Sequence, residues 1–169
     1  MIALNHILVA TDFGPESETA VHYGRALAQR FGAALHVLHV TEDLFARAMD
    51  GYAFAGVSPD VQEEIARAVR QRTEDQLTDE DRRELRATAA TVSSNDPAGA
   101  IVTYATAQAI DLIVLGTHGR GALAHLVMGN VAERVVRNAP CPVLTVKHPE
   151  HDFLVPDRRA EPAHTEATS

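Results

Sequence analysis

Short apolar runs alternate along the chain with longer segments whose apolar residues follow helical spacing. The strongest runs are "HILVAT" (His6–Thr11), "ALHVLHV" (Ala34–Val40), "DLIVLG" (111–116) and "PVLTVK" (142–147), and "ATAATVS" (Ala87–Ser93) is a weaker fifth. Each is short and bounded by turn residues or helical segments, as buried strands are. Runs that are apolar on both faces and separated by helices are typical of a parallel sheet covered on both sides. The sequence therefore predicts an α/β, Rossmann-like, doubly wound domain with five strands.

Four helical segments connect these strands. The first, "ESETAVHYGRALAQRF", is predicted to end at Gly32. The second is predicted to begin with Ser58 as N-cap and Pro59 as first residue, and to continue along the solvent side to about Arg86. Asn95 or Asp96 is predicted to cap a third, over residues 97–109, and "NVAERVVRN" forms the fourth.

Composition excludes several classes of function. The chain has 169 residues and a formal net charge of −8, which argues against a general nucleic-acid partner because phosphate backbones require a basic face. It holds no apolar stretch of the roughly 18 residues that span a bilayer, so no membrane insertion is expected. The N-terminal "MIALNHILVATD" lacks a basic leader, and one cysteine, Cys141, excludes an intrachain disulfide. We expect a cytoplasmic protein.

Two segments fall outside the alternating pattern. Residues 43–57 form a long connection with three aromatic residues, interpreted either as a loop that packs them onto the core or as a lid or contact surface. The polar, proline-containing C-terminus is aperiodic and is expected to be disordered. The predicted organisation is one domain over residues 1–148 and a tail over residues 149–169.

Glycines cluster directly after the fourth strand, in "GTHGRGALAHLVMGN" (116–130). Ligands bind open parallel sheets beyond the carboxyl ends of the strands, where the strand order reverses, and Asp12 ends the first strand at the same edge. Glycine lets backbone N–H groups approach an anion, and Gly129 precedes a helix whose N-terminus favours phosphate. The spacing favours a two-part phosphate cradle, although glycines after a strand also form purely structural turns.

These segments resemble the universal stress protein (UspA) family. The likeness rests on "HILVATDFGPESETAVHYGRALAQRFGAALHVLHV" and "GTHGRGALAHLVMGNVAERVVRNAPCPVLTVK", and it extends over residues 1–148. The nucleotide-binding branch of that family carries Gly-x2-Gly-x9-Gly-Ser/Thr, and Gly116, Gly119 and Gly129 match its separations. The resemblance implies the strand order 3-2-1-4-5, ATP (or ADP or AMP) in the crevice, and a homodimer.

The resemblance also implies a set of nucleotide-binding residues. It places Thr11 and Asp12 beside the ribose and adenine, the main chain of Val40 along the base, and the others around the ribose and phosphates: Gly116, His118, Gly119, Gly129, Asn130 and Val131. Arg120 is added on the basis of its charge. The alternative role of Asp12 is to cap the first helix.

Asn130 departs from the family pattern, which has serine or threonine there. An amide NH2 donates to a phosphate oxygen as a hydroxyl does, but from a longer and planar group. The alternative is that Asn130 is simply the N-cap of the following helix.

The other reactive side chains point less clearly to a site. His36 and His39 are three apart on a strand and therefore face opposite sides of the sheet. Cys141 is expected to be a small buried side chain. We predict no catalytic nucleophile and no structural metal, and Mg²⁺ is expected only on the nucleotide phosphates.

The leading functional hypothesis is an ATP-binding protein that acts as a nucleotide-responsive regulatory dimer in the stress response, read by an unknown protein partner. One alternative is slow ATP hydrolysis or autophosphorylation with His118 as acid/base, and another is an interaction module that binds no nucleotide. In the implied strand order, Val143–Val146 is an apolar edge strand, and a second copy would cover it.

Overall fold

The computed structural model of the protein describes residues 2–42, 58–117 and 128–147. Their helices are α1 (Pro15–Phe31), α2 (Pro59–Glu74), α3 (Asp79–Glu84), α4 (Pro97–Ala107) and α5 (Asn130–Asn138). Their strands are β1 (His6–Thr11), β2 (Ala34–Thr41), β3 (Thr88–Ser93), β4 (Leu112–Gly116) and β5 (Val143–Val146). The predictions for residues 43–57, for the tail and for His118, Gly119 and Arg120 lie outside the described residues.

All five strands are parallel and form one sheet in the order β3-β2-β1-β4-β5. The predicted fold class and strand order are therefore confirmed. The register pairs His6 of β1 with Ala34 of β2, and Ile7 with Leu112 of β4. From β1 the chain adds β2 and then β3 on one side of the sheet. It then crosses to the other side of β1 and adds β4 and then β5, so the strand order reverses between β1 and β4.

Helices cover both faces of the sheet and enclose two apolar clusters. One cluster packs α1 and the α2–α3 region against residues such as Ile7, Val9 and Leu35. The other packs α4 and α5 against residues such as Leu8, Leu38 and Ile113. The alternation along β1 and β2 places neighbouring residues in opposite clusters, as the pleat of a strand requires.

Two glycines allow α1 its place on the sheet. A Cβ on Gly24 would clash with the Cγ2 atom of Val9, so glycine is what lets the helix approach β1 this closely. Gly32 ends the helix with φ 67°, in the left-handed region that glycine enters without cost. The predicted helix stop at Gly32 is confirmed.

The second predicted helix is in fact two. α2 ends at Glu74, and α3 begins after Thr78, whose hydroxyl accepts the N–H of Asp81 while a carboxylate oxygen of Asp81 accepts the N–H of Thr78. This capping box starts a new helix where a continuous one was predicted. The expectation of a solvent-side helix is also wrong in part, because Asp81 and Leu85 are buried.

Smaller differences concern the ends of elements. Asp96 is the N-cap of α4, since its Oδ1 atom accepts the N–H of Gly99, which selects it over Asn95. Cys141 is half-buried against the α4–α5 cluster. Burial and the charge of Asp111 raise the pKa of its thiol, and the prediction of a buried side chain is met only in part.

Candidate functional site

The carboxyl ends of β1 and β4 lie side by side where the strand order reverses. β1 ends at Thr11 and β4 at Gly116, and the two strands are paired up to Ala10 and Leu115. The chain leaves β1 toward α1 on one face, whereas α5 begins beyond β4 on the other. A divergence of this kind marks the position at which open α/β sheets bind ligands.

The turn after β1 is fixed by hydrogen bonds within six residues. The hydroxyl of Thr11 accepts the N–H of Phe13 over 3.0 Å and donates to the hydroxyl of Ser17 over 3.2 Å. The Oδ1 atom of Asp12 accepts the N–H of Gly14 over 3.0 Å. Gly14 itself is the N-cap of α1, so the alternative role of Asp12 as helix cap is wrong. Asp12 instead closes the turn that leads into the helix.

The start of α5 is tied to the end of β4. The N–H of Gly129 donates to the carbonyl of Thr117 over 2.7 Å, and the N–H of Thr117 donates to the carbonyl of Val146 over 2.8 Å. Gly129 is the N-cap, and the carbonyl of Gly129 accepts the N–H of Glu133. The hypothesis that Asn130 caps this helix is therefore wrong: Asn130 is its first residue. A helix start held at this edge presents N–H groups that the helix does not bond internally.

Several predicted site residues thus come together at one edge. Thr11 and Asp12 end β1, Gly116 ends β4, and Gly129, Asn130 and Val131 form the beginning of α5. Asn130 and Val131 are exposed, the latter by 39%. Val40, near the carboxyl end of β2, is half-buried against the α4–α5 cluster, on the next strand along the same edge.

A salt bridge joins α4 and α5. Arg134 of α5 contacts Oδ1 of Asp96, the N-cap of α4, over 2.9 Å. The hydrogen bond from Arg134 and the one from the N–H of Gly99 hold the pKa of Asp96 below its ordinary value. The carboxylate therefore stays charged at neutral pH and links the N-terminus of α4 to the middle of α5.

Sequence reasoning missed three residues beside Asp12. Phe13 follows it with φ 62°, and its ring lies 4.3 Å from the ring of His39, centroid to centroid. The guanidinium carbon of Arg72 lies 4.3 Å from the centroid of the Phe13 ring. A phenylalanine in a turn between strand and helix carries no pattern that signals this arrangement, and Arg72 is sixty residues away in sequence.

The described residues contain no group of three His, Cys, Asp or Glu side chains that could hold a metal ion. Nor do they include a helix long and apolar enough to cross a membrane.

The prediction that the two histidines of β2 face opposite sides of the sheet is confirmed, since His36 contacts Tyr104 of α4 whereas His39 contacts Phe13.

The fold is that of an open, doubly wound α/β protein whose strand order reverses between β1 and β4. Residues 3–147 match the Universal stress protein family model, and the chain belongs to this family. A universal stress protein from Thermus aquaticus, encoded in the QAH/OAS sulfhydrylase 3′ region, is 34% identical over 142 residues, which cover 83% of this chain and 97% of that one.

Solved structures of similar fold include nucleotide complexes. The MJ0577 protein, a universal stress protein of Methanocaldococcus jannaschii, superposes with a TM-score of 0.70 at 22% identity, over 89% of this chain and 100% of that one. A universal stress protein in complex with cAMP (TM-score 0.57, 22% identity, 86% and 98% covered) is similar in fold. So is one from Archaeoglobus fulgidus in complex with dAMP (TM-score 0.55, 18% identity, 87% and 100% covered).

Proposed function

We infer that this protein binds an adenine nucleotide at the edge between β1 and β4 and acts as a nucleotide-responsive regulator in the stress response. The observation that carries the inference is the position of the α5 N-terminus. The hydrogen bond between Gly129 and Thr117 holds it at the end of β4, beside the turn that contains Asp12. An anionic group and a polar sugar or base thus have suitable partners at the same edge of the sheet.

The chemistry of α5 suits a phosphate. Its N-cap is a glycine, which has no side chain to cap the first N–H groups. Those N–H groups and the helix dipole favour an anion. The exposed amide of Asn130 adds a donor, and Val131 contributes its backbone N–H.

The chemistry at β1 suits the remainder of a nucleotide. Asp12 supplies carboxylate oxygens, which accept hydrogen bonds from ribose hydroxyls or an adenine amino group. The cAMP and dAMP of the two family complexes share an adenine ring and one phosphate. ATP is the fuller ligand that we propose here, with ADP and AMP as shorter forms, and the proposed site comprises Thr11, Asp12, Val40, Gly116, His118, Gly119, Arg120, Gly129, Asn130 and Val131.

Magnesium, if bound, would be carried by the phosphates, because Mg²⁺ is commonly held by phosphate oxygens and few protein ligands. When bound, it would neutralise phosphate charge. We further propose that the regulator is a cytoplasmic homodimer joined through β5, and that a partner protein reads the difference between its bound and free forms.

The test is thermal unfolding of the protein with ATP and Mg²⁺, AMP or cAMP, alongside mass spectrometry of the purified protein for bound nucleotide. Ligand at about 100 times its Kd stabilises a folded protein by about 2.7 kcal/mol. For a chain of this size that raises Tm by about 5–10 °C. Three unchanged Tm values and no copurified nucleotide would contradict the proposal.

Gly129→Val locates the site. Gly129 has φ −70° and ψ 153°, a conformation that valine adopts readily, so the variant is expected to fold. Its side chain would stand before the helix N-terminus and abolish the shift in Tm. Arg137→Val, in the last turn of the same helix, is the matched control and should keep the shift.

A further inference from the structure

Phe13 holds a strained backbone conformation at the proposed site. Among the described residues, three other than glycine have positive φ: Phe13, Arg86 and Ala109. The latter two precede β3 and β4, at the opposite edge of the sheet, whereas Phe13 follows β1 at the carboxyl edge. A bulky residue in this region costs about 1–3 kcal/mol and persists only where its surroundings hold it. Strained residues of this kind are concentrated at functional sites.

Three contacts with described residues help to hold Phe13 in place. Its N–H donates to the Thr11 hydroxyl, and the residue is 8% exposed. One side of the ring lies against His39, with an angle of 33° between the ring planes. Arg72, in the last turn of α2, places its guanidinium carbon 4.3 Å from the ring centroid, a cation–π contact. The contacts come from β1, β2 and α2.

His39 also fixes the backbone on the other side of Asp12. Its Nδ1 atom lies 2.7 Å from the carbonyl oxygen of Thr11. A carbonyl only accepts, so Nδ1 carries the hydrogen and the ring donates. The same imidazole therefore holds the residue before Asp12 by a hydrogen bond and the residue after it by ring contact.

These contacts leave Asp12 between two immobilised neighbours. Its carboxylate oxygen Oδ1 accepts the N–H of Gly14 across the left-handed turn at Phe13. We propose that His39 and Arg72 are positioning residues that hold Phe13, and through it Asp12, in the geometry that binds the nucleotide. The proposal rests on the proposed function and adds that α2, a helix outside the crevice, sets the affinity of the site.

Nucleotide affinity, measured by titration calorimetry with ATP and Mg²⁺, tests the role of Arg72. Arg72→Met keeps the length of the side chain but removes the cation, and we expect ATP affinity to fall about two- to fivefold, the range of a cation–π contact. Arg72→Lys keeps a cation and should restore most of the affinity.

Arg70→Met is the matched control, because it removes the same charge from the same helix. Arg70 is exposed and pairs with Glu63. If Arg72 acted only through long-range attraction for phosphate, the two methionine variants would lose affinity equally, and that result would overturn the proposal.

A double-mutant cycle tests whether Arg72 acts through Phe13. Phe13→Leu keeps an apolar side chain but removes the ring, and it should weaken ATP binding by itself. In the Phe13→Leu background, Arg72→Met should then cost little or nothing more, because coupled residues are not additive. Additive losses would overturn the relay through Phe13.

The role of His39 is tested by a pair of substitutions. Asn places a donor NH2 close to the position of Nδ1, whereas Leu has no donor. His39→Asn should therefore bind ATP more tightly than His39→Leu, and equal affinities would overturn the hydrogen-bond part of the proposal. If the wild-type protein binds neither ATP, AMP nor cAMP, the proposed function and this inference both fail. If it binds them and Arg72→Met matches Arg70→Met, only this inference fails.

Discussion

Arg25 of α1 donates its Nε–H to the Oδ1 atom of Asp81 over 2.7 Å, and this ion pair joins α1 to the first turn of α3. The same guanidinium donates to the carbonyl of Gln76 over 3.1 Å. Burial by itself would raise the pKa of Asp81, which is 3% exposed, but hydrogen bonds from Arg25 and from Thr78 outweigh it and lower the pKa. A single carboxylate thus caps α3 and anchors it to α1.

Asp81→Ala is expected to lower the free energy of unfolding by about 1–3 kcal/mol, because it removes a cap and leaves Arg25 without its partner. Arg25 is 24% exposed, and water partly replaces the lost contact, so the loss stays below that of a fully buried pair. Urea unfolding measures this decrease in the free energy of unfolding. Glu63→Ala, which breaks the exposed pair with Arg70, should cost under about 1 kcal/mol. Equal losses for the two variants would contradict the anchoring role of Asp81.

A histidine pair predicts how stability depends on pH. His36 is buried, its Nε2 atom lies 3.2 Å from Nδ1 of His6, and its Nδ1 atom lies 3.2 Å from the hydroxyl of Tyr104. Burial and the neighbouring charge of His6 lower the pKa of His36 below its ordinary 6.5. The unfolded chain therefore binds a proton at a higher pH than the folded protein does.

The free energy of unfolding should accordingly be highest above pH 6.5 and fall as the pH drops below it through the folded-state pKa of His36. Urea unfolding of His36→Leu between pH 7.5 and 5 should show a smaller decrease than the wild type. His22 is exposed on α1, and His22→Leu should leave the wild-type decrease in place. A wild-type stability that rises toward pH 5 would contradict the assignment.

The sequence predicted the sheet well because its signals are local. The five apolar runs predicted every strand end to within one residue. For example, β2 extends to Thr41 where Val40 was expected. Ser58 and Gly32 carry their signals in their own residue types, as N-cap and helix stop. Strand order needed the family resemblance, since periodicity does not tell which strands pair.

The contacts that position Asp12 were not predictable in this way. Phe13 adopts a backbone conformation that its residue type disfavours, and the contacts of its ring with His39 and Arg72 are tertiary. The break between α2 and α3 was missed for a related reason. "TDEDRRELR" looks like a solvated helix, and only the partner Arg25 shows why Asp81 is buried.

Substitutions at Asn130 test whether its amide contacts the phosphate. It is exposed and begins the helix, so substitutions there should cost little in folding. Asn130→Ser should retain or improve ATP binding, whereas Asn130→Leu should weaken it by about 1–3 kcal/mol, the cost of an unmade bond to a charged group. Titration calorimetry measures both. Asn138→Leu, at the other end of the helix, is the control, and equal affinities across all variants would remove Asn130 from the site.

The edge strand β5 supplies the predicted dimer surface. Residues of a parallel strand alternate in the direction of their backbone groups, and Pro142 and Val146 both accept hydrogen bonds from the β4 side. By this alternation the N–H and carbonyl of Leu144 also point toward β4, while the N–H and carbonyl of Val143 and Thr145 point away from it. Leu144 adds an apolar side chain that is 37% exposed. A second copy of β5 running antiparallel would pair both edges in one closed contact.

Thr145→Pro removes one of these outward N–H groups without removing a donor to β4, so it should weaken a β5-mediated dimer about fivefold or more, since one net hydrogen bond is worth about 1 kcal/mol. Thr145→Val keeps the N–H and should dimerise like the wild type. Sedimentation equilibrium over a micromolar concentration series measures the three dissociation constants, and thermal unfolding checks that the proline variant is folded. A wild-type protein that sediments as a monomer would exclude the dimer. A dimer that Thr145→Pro leaves intact would exclude β5 and move the interface to another surface of the protein.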